Sequence, residues 1–206
     1  MTTTILLIRH GETESNAQDI QGYFMGWANE GLNANGFAQA ESLALKLAKV
    51  QLSAIYCSSS RRAMSTAELI GKYHGLKPVP TPELREINYG EWEGRKRSEI
   101  RDKYPEIYRR LRSDPIDVAI PGGESFKQVA ERVISIFNSI AAEGDGKTVA
   151  LVSHGNPIKI LIVHALSMPY NMWGIFDIGN ASISTLQVTD GIPRIVMLND
   201  RTHLKG

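Results

Sequence analysis

Two short apolar runs, Ile5-Leu6-Leu7-Ile8 and Val149-Ala150-Leu151-Val152 behind Thr148, carry no polar gap at helical spacing. Runs of this length read as strands buried on both faces. Each is followed by a His-Gly pair: Arg9-His10-Gly11 after the first and Ser153-His154-Gly155 after the second. Open α/β sheets build their sites at the carboxyl ends of strands, so the pattern alone puts both histidines where chemistry is expected.

Elsewhere the spacing is helical. Phe37, Ala40, Ala44 and Leu47 predict a helix with Asn33 as its N-cap, and Ala63, Ala67 and Ile70 predict another from Ala63 to about Tyr73. Val129, Val133, Ile136 and Ile140 predict a third, opened by a capping box of Ser125 and Gln128. Asn156-Pro157 supplies an N-cap and a first-turn proline to a fourth, from Ile158 to about Ser167. Leu52–Tyr56, Ile183–Val188 and Arg194–Leu198 read as further strands, whereas Val79-Pro80-Thr81-Pro82 reads as a break. The stretch from Gly11 to Gly31 has no period and reads as a site-forming loop. This alternation predicts an α/β fold in three layers, with a mostly parallel central sheet flanked by helices.

Length and composition narrow the picture. The 206 residues, 42% hydrophobic and 22% charged, suffice for one well-buried domain, so 1–206 is expected as a single unit. A net charge of +1 argues against a dedicated nucleic-acid binder. The single cysteine, Cys57, excludes an intramolecular disulfide and a cysteine-based zinc cluster. Met1-Thr2-Thr3-Thr4 has no basic stretch leading into an apolar one, and no apolar run reaches bilayer length. The expectation is a soluble cytoplasmic protein with no membrane partner; a homodimer stays open, because nothing in the residues fixes the oligomeric state. Charge is unevenly spread: Arg95 to Arg112 holds eight Lys/Arg against three acids. This basic helical segment lies in residues 88–125, expected as an inserted lid whose field favours an anionic ligand.

Several partial motifs fail on spacing. Gly146-Lys147-Thr148 resembles the end of a phosphate-cradling loop, but Ala141 occupies the required glycine position and the segment precedes its strand. Cys57 and Arg62 are separated by four residues where cysteine-dependent phosphatases need five. His10-Gly11-Glu12 lacks the paired cysteines of a zinc deaminase, and no G-x-S-x-G elbow occurs. His74, His164 and His203 have no comparable context and read as structural or surface residues.

His10 or His154 alone would read as a structural histidine. Together they differ: both end predicted strands, both precede glycine, Arg9 flanks one, and Arg61-Arg62 open a helix after a strand. Phosphoryl transfer needs cations and donors around the equatorial oxygens plus an in-line nucleophile, and guanidinium forks match phosphate oxygens.

With these residues in place, the chain resembles the histidine phosphatase superfamily, also called the phosphoglycerate mutase-like family. The likeness rests on Arg9-His10-Gly11-Glu12-Thr13 with Asn16, on Ser58 to Ala67, and on Leu84-Arg85-Glu86 with Gly90 and Trp92-Glu93-Gly94. Pro121-Gly122-Gly123-Glu124-Ser125 and Ser153-His154-Gly155 complete it. Ser60 departs from the leucine common in the family. The resemblance implies that His10 is the nucleophile, that Arg9, Arg62 and His154 hold the phosphoryl group, and that Glu86 is the acid and base. Asn16, Gly22, Tyr89, Arg97 and the backbone at Gly155 are the candidate substrate contacts. No metal and no cofactor is implied.

The reading favoured by the resemblance is a phosphatase acting on a small phosphorylated metabolite. One alternative is a mutase, suggested by Tyr108-Arg109-Arg110 and by the likeness of Gly22 to Trp27 to the mutases' early loop. The other is a silent phosphate-binding module. Sugar phosphates, phosphoglycerates, phosphoserine and the nucleotide-loop phosphates of cobalamin synthesis all remain open as substrates.

Overall fold

The computed structural model describes residues 2–17, 22–143 and 146–204; residues 18–21 of the expected loop and the side chain of Arg112 lie outside them. Its elements run β1 (Thr2–Arg9), α1 (Glu14–Ala17), α2 (Ala34–Leu47), β2 (Ala54–Cys57), α3 (Arg61–His74) and β3 (Val79–Pro80). They continue as α4 (Arg97–Lys103), α5 (Pro105–Ser113), α6 (Phe126–Glu143), β4 (Thr148–Ser153), α7 (Gly155–Ala165), β5 (Ile183–Thr189) and β6 (Ile192–Asp200). The strands form one six-stranded sheet in the order β3-β2-β4-β1-β5-β6. Only β5 runs against the others, so the sheet is mostly parallel, in keeping with the alternation along the chain.

The continuous aliphatic run of β1 is explained by the two layers it separates. Ile5 and Leu7 join Val133 and Phe137 of α6 and Ile158 and Leu161 of α7. Leu6 and Ile8 join Leu43 and Leu47 of α2 and Ala67 and Ile70 of α3 on the opposite face. Successive side chains of a strand point to opposite faces, and burying each of these is worth about 1.5–3 kcal/mol.

Four differences from the expected elements bear on the site. First, α7 begins at Gly155 with His154 as its N-cap residue, two residues before the expected cap at Asn156. Pro157 is tolerated because the first N–H groups of a helix have no intrahelical acceptor. Second, α3 begins at Arg61, before the apolar spacing starts, so Arg62 lies in its first turn. Third, Val79–Pro80 is no break but a short parallel edge strand beside Tyr56 and Cys57, a position that accepts proline. Fourth, Phe37 is 49% exposed, and α2 instead buries Gly36, Ala40, Leu43, Ala44 and Leu47. Asn33 does cap α2, accepting the Gly36 N–H at 2.7 Å. The turn at Gly36 must meet the loop after β1: a Cβ on Gly36 would overlap the Glu12 carbonyl, and one on Gly11 the Gly36 carbonyl. Phe37 lies about 100° further round the helix and is left in water.

The capping box is present, with Ser125 N–H donating to Gln128 Oε1 at 2.8 Å and Gln128 N–H to Ser125 Oγ at 3.2 Å. Within residues 88–125, Trp92, Ile100, Leu111, Val118 and Ile120 are buried in the same apolar cluster as α6 and α7. Trp92 is fully buried, with Phe24 at 5.2 Å and Tyr104 at 5.8 Å between ring centres. No helix among the described residues is long and apolar enough to cross a membrane.

Candidate active site

Parallel pairing sets Arg9 of β1 opposite Ser153 of β4, so the next residues, His10 and His154, leave adjacent strands side by side. Their rings meet edge to face, 4.9 Å between centres. The His10 N–H bonds the Ser153 carbonyl at 3.1 Å, which extends the ladder one residue into the site. His10 Nδ1 lies 2.7 Å from the Gly11 carbonyl oxygen. That oxygen can only accept, so Nδ1 carries the proton and Nε2 holds the lone pair. Arg62 donates from Nε to this Nε2 at 3.3 Å. Its Nη1 and Nη2 are fixed by the carbonyls of Ala28 at 2.9 Å and Gly26 at 2.7 Å.

Both imidazoles are nearly inaccessible, at 4% for His10 and 1% for His154. Burial holds His10 well below the usual imidazole value; Arg62 and Arg9 push the same way, and the Gly11 carbonyl opposes them. His154 is lowered by burial first, then by Arg62, His10, Arg9 and Arg132. Its Nε2 contacts Ser58 Oγ at 2.8 Å and Ser60 Oγ at 3.2 Å. Its Nδ1 is buried and has no hydrogen-bond partner within the protein. Ser60, the departure from the family pattern, thus touches a site histidine. Arg9 donates from Nη1 to the Ile178 carbonyl at 2.6 Å.

Glu86 comes from an irregular segment held from several sides. Its Oε1 accepts the Ile87 N–H at 2.8 Å, and its Oε2 accepts the Asn156 N–H from the first turn of α7 at 3.3 Å. Its main-chain carbonyl accepts Trp27 Nε1 and Arg132 Nη2, both at 2.9 Å. Arg132 also reaches the carbonyls of Glu83 and Arg85 and pairs with Glu124. The Pro121–Ser125 motif therefore acts through Glu124, which accepts the Asn88 N–H and braces the Glu86 segment. Glu93 plays a similar part, accepting the N–H groups of Trp27, Ala28 and Tyr89. A Cβ at Gly26 would overlap the Ile87 carbonyl, so this crossing admits only glycine. Glu12 lies away from the cavity wall and bonds Asn33 and Asn35 at 3.0 Å each.

These groups surround a cavity of about 250 Å³. His10, His154, Arg9, Arg62 and Glu86 all line it, as do Asn16, Tyr89, Arg97 and Gly155. Gly22 does not, which corrects the expectation for that residue: it is buried behind the wall with φ +57°, and its carbonyl accepts the Arg97 N–H at 2.8 Å. The backbone turns there, and the neighbouring Tyr23 faces the cavity instead. Burial raises the Tyr89 hydroxyl, which accepts from Asn156 Nδ2 at 3.0 Å. Among the described residues, no group of three or more His, Cys, Asp or Glu side chains is placed to hold a metal ion.

Sequence reading missed several contributors. Glu30, Asn156, Lys159 and Asp177 line the cavity, and Asn180 donates to Asn16 Oδ1 at 2.9 Å and to the His10 carbonyl at 3.2 Å. Asn156 and Lys159 could have been found one and four residues after Gly155, at the mouth of a helix that starts in the site. Asn180 stands in an unpatterned turn and gave no signal.

What the sheet builds is a histidine-centred oxyanion site in an α/β protein, of the kind that receives a phosphoryl group. Comparison with known proteins has the same extent as the fold. The model of the histidine phosphatase superfamily (branch 1) matches residues 5–201, and the chain belongs to that superfamily. It is 31% identical to phosphoserine phosphatase 1 of Hydrogenobacter thermophilus over 97% of this chain and 93% of the relative. It is 33% identical to a metal-independent phosphoserine phosphatase of Arabidopsis thaliana, over 99% of this chain and 84% of that one. The solved structure of Bacillus stearothermophilus YhfR superposes with a TM-score of 0.91 at 31% identity, covering 98% of this chain and 100% of its own.

Proposed function

We propose that the protein is a metal-independent phosphatase that hydrolyses small anionic phosphomonoesters through a phosphohistidine on His10. The observation that carries this reading is the contact of His10 Nδ1 with the Gly11 carbonyl. The carbonyl accepts the Nδ1–H, so Nε2 holds the lone pair, met in the free protein by the Arg62 Nε–H, and is a neutral nucleophile needing no deprotonation once phosphoryl oxygens take over that N–H. Arg9 and Arg62 supply positive charge to the phosphoryl oxygens, and His154 donates from its unpartnered Nδ1 while Ser58 occupies Nε2. The N-terminus of α7 adds its backbone N–H groups and dipole. Asn16, Tyr89, Arg97 and Gly155 complete the substrate contacts.

In the first half-reaction His10 Nε2 bonds to phosphorus as the ester P–O bond breaks, and Glu86 delivers a proton to the departing oxygen. In the second, Glu86 takes a proton from water, the water oxygen bonds to phosphorus, and the P–N bond breaks to release inorganic phosphate and restore His10. Residues 88–125 serve as the lid over this centre, within a single domain spanning 1–206. The reading includes a cytoplasmic location, no nucleic-acid partner and a homodimer as the assembly to test by light scattering. A reducing compartment suits the lone buried Cys57, whose thiol burial pushes up to about 12.

The mutase alternative loses its structural motive. Arg109 pairs with Glu106 at 2.7 Å on the surface of α5, with both side chains more than two-thirds exposed, and neither Arg109 nor Arg110 lines the cavity. Phosphate release from p-nitrophenyl phosphate, assayed with and without chelator, tests the main claim; equal rates are expected. Glu86→Gln is expected to slow an alkyl phosphate about a hundredfold and p-nitrophenyl phosphate far less, because nitrophenolate leaves without a proton. Equal losses on both esters would remove Glu86 from the acid role.

A further inference from the structure

A second cavity of about 470 Å³ adjoins the phosphoryl site and shares Tyr89, Arg97 and Lys159 with it. Its remaining wall is largely apolar and aromatic, with Phe24, Tyr108, Phe126, Trp173 and Ile175. The two cations at the junction are seated on rings of this wall: Arg97 Cζ lies 4.8 Å from the centre of Phe24, and Lys159 Nζ lies 5.4 Å from the centre of Trp173. The charged ends themselves therefore rest on aromatic faces of the chamber, and because both residues also line the phosphoryl site these cations stand at the boundary between the two cavities. Arg9 and Arg62 already serve the phosphoryl oxygens beside His10. Arg97 and Lys159 are thus further positive groups at the point where the leaving group must pass, opposed there by Asp177.

From this juxtaposition we infer that the leaving group of the natural substrate carries an anionic group close to the ester carbon, held by Arg97 and Lys159, and an apolar or aromatic body that fills the second cavity. The inference rests on the phosphatase reading and deepens it to a substrate class: phosphate esters of hydroxy acids bearing an apolar side chain. Burial lowers the Lys159 ammonium, against the pull of Asp177. A part-buried ammonium gains from an anionic partner brought in with the substrate. The aromatic wall favours a ring over a methyl group because apolar area leaves water as the chamber fills.

Three secondary alkyl phosphates separate the two features. Phosphophenyllactate has both the carboxylate and the ring, phospholactate lacks the ring, and the phosphate of 1-phenylpropan-2-ol has a methyl group in place of the carboxylate. The native protein is expected to hydrolyse the first with the highest kcat/KM. Lys159→Met is expected to slow phosphophenyllactate about tenfold more than its methyl analogue. Lys159→Arg is expected to keep that discrimination. Trp173→Ala is expected to slow phosphophenyllactate about tenfold more than phospholactate. Thermal unfolding of each variant beside the native protein reports whether it is folded. If both variants slow all three esters by one common factor, or the native protein turns over p-nitrophenyl phosphate but prefers none of the three, the substrate class is wrong and the phosphatase reading stands. If the native protein releases phosphate from none of the four compounds, the phosphatase reading falls and takes the substrate class with it.

Discussion

At the base of the cavity Arg9, His10, Ser153 and His154 follow one another across two hydrogen-bonded strands, whereas the segment from Tyr89 to Leu111, the proposed cover, is built of short helices held by apolar packing and by isolated main-chain bonds to Gly22, Phe24 and Pro121. The base inherits its geometry from a backbone ladder that also buries aliphatic side chains on both faces. The cover owes its position to packing around Trp92 and to carboxylates such as Glu93 that collect main-chain N–H groups. On the proposed function, reaction and selectivity fall to parts with different physical supports, joined through Arg132, Glu124 and the Glu86 segment.

The sharpest way to break this division is at His10. His10→Ala is expected to cut kcat by about 10⁴-fold or more and to lower stability by only about 1–3 kcal/mol, since besides the nucleophile it removes the buried partner of the Gly11 carbonyl and the Arg62 Nε–H. Retention of turnover would move the chemistry elsewhere. Trp92→Ala attacks the cover: it is expected to cost about 4 kcal/mol in urea unfolding, the usual price of emptying a large buried aromatic site. In the folded fraction it should raise KM more than it lowers kcat; a fall in kcat as deep as that of His10→Ala would join the two regions into one.

Arg132→Met tests the joint. It leaves Glu124 half-buried without its partner and frees the carbonyls of Glu83, Arg85 and Glu86, so a loss of about 2 kcal/mol is expected. Because Arg132 acts through Glu86, kcat should fall about tenfold with KM little moved, and p-nitrophenyl phosphate should suffer least.

The smallest effect is on pH. His10 and His154 have folded-state values well below the ordinary 6.5. Above that value both folded and unfolded chains hold the rings neutral. As pH falls below 6.5 the unfolded chain takes up protons that the folded protein refuses, so stability declines until the depressed folded values are reached. The urea midpoint should drop between about pH 7.5 and 5.5, and drop less in His154→Gln. Over the same window kcat/KM should show no acid limb at 6.5, because His10 stays neutral; a limb there would mean that the nucleophile is protonated like an exposed imidazole.

Much of the base was legible in advance. Four aliphatic residues without a polar gap announce a strand covered on both faces, and whatever follows such a strand stands at a sheet edge. Arg9, His10 and His154 could be placed by that rule, and Arg62 by its closeness to the start of a helix after Cys57. The cover was legible only as a basic stretch. Its charge said that an anion would be welcome but not which cations face the site: Arg97 does, while Arg109 turns to Glu106 in water. Gly22 was misplaced for a related reason, since a loop without a period gives no sign of which residue faces inward.

By itself, then, the chain determined the layers, the strand ends and the kind of chemistry they hold, because those follow from local spacing of apolar residues and from the few side chains able to serve phosphorus. Only tertiary structure decided the register that sets Arg9 against Ser153, the two-residue earlier start of α7 that makes His154 its cap, and the meeting of Lys159 with Trp173 and Arg97. Each of these depends on contacts between residues far apart in sequence, and no local pattern encodes which distant partner a backbone or side chain will find.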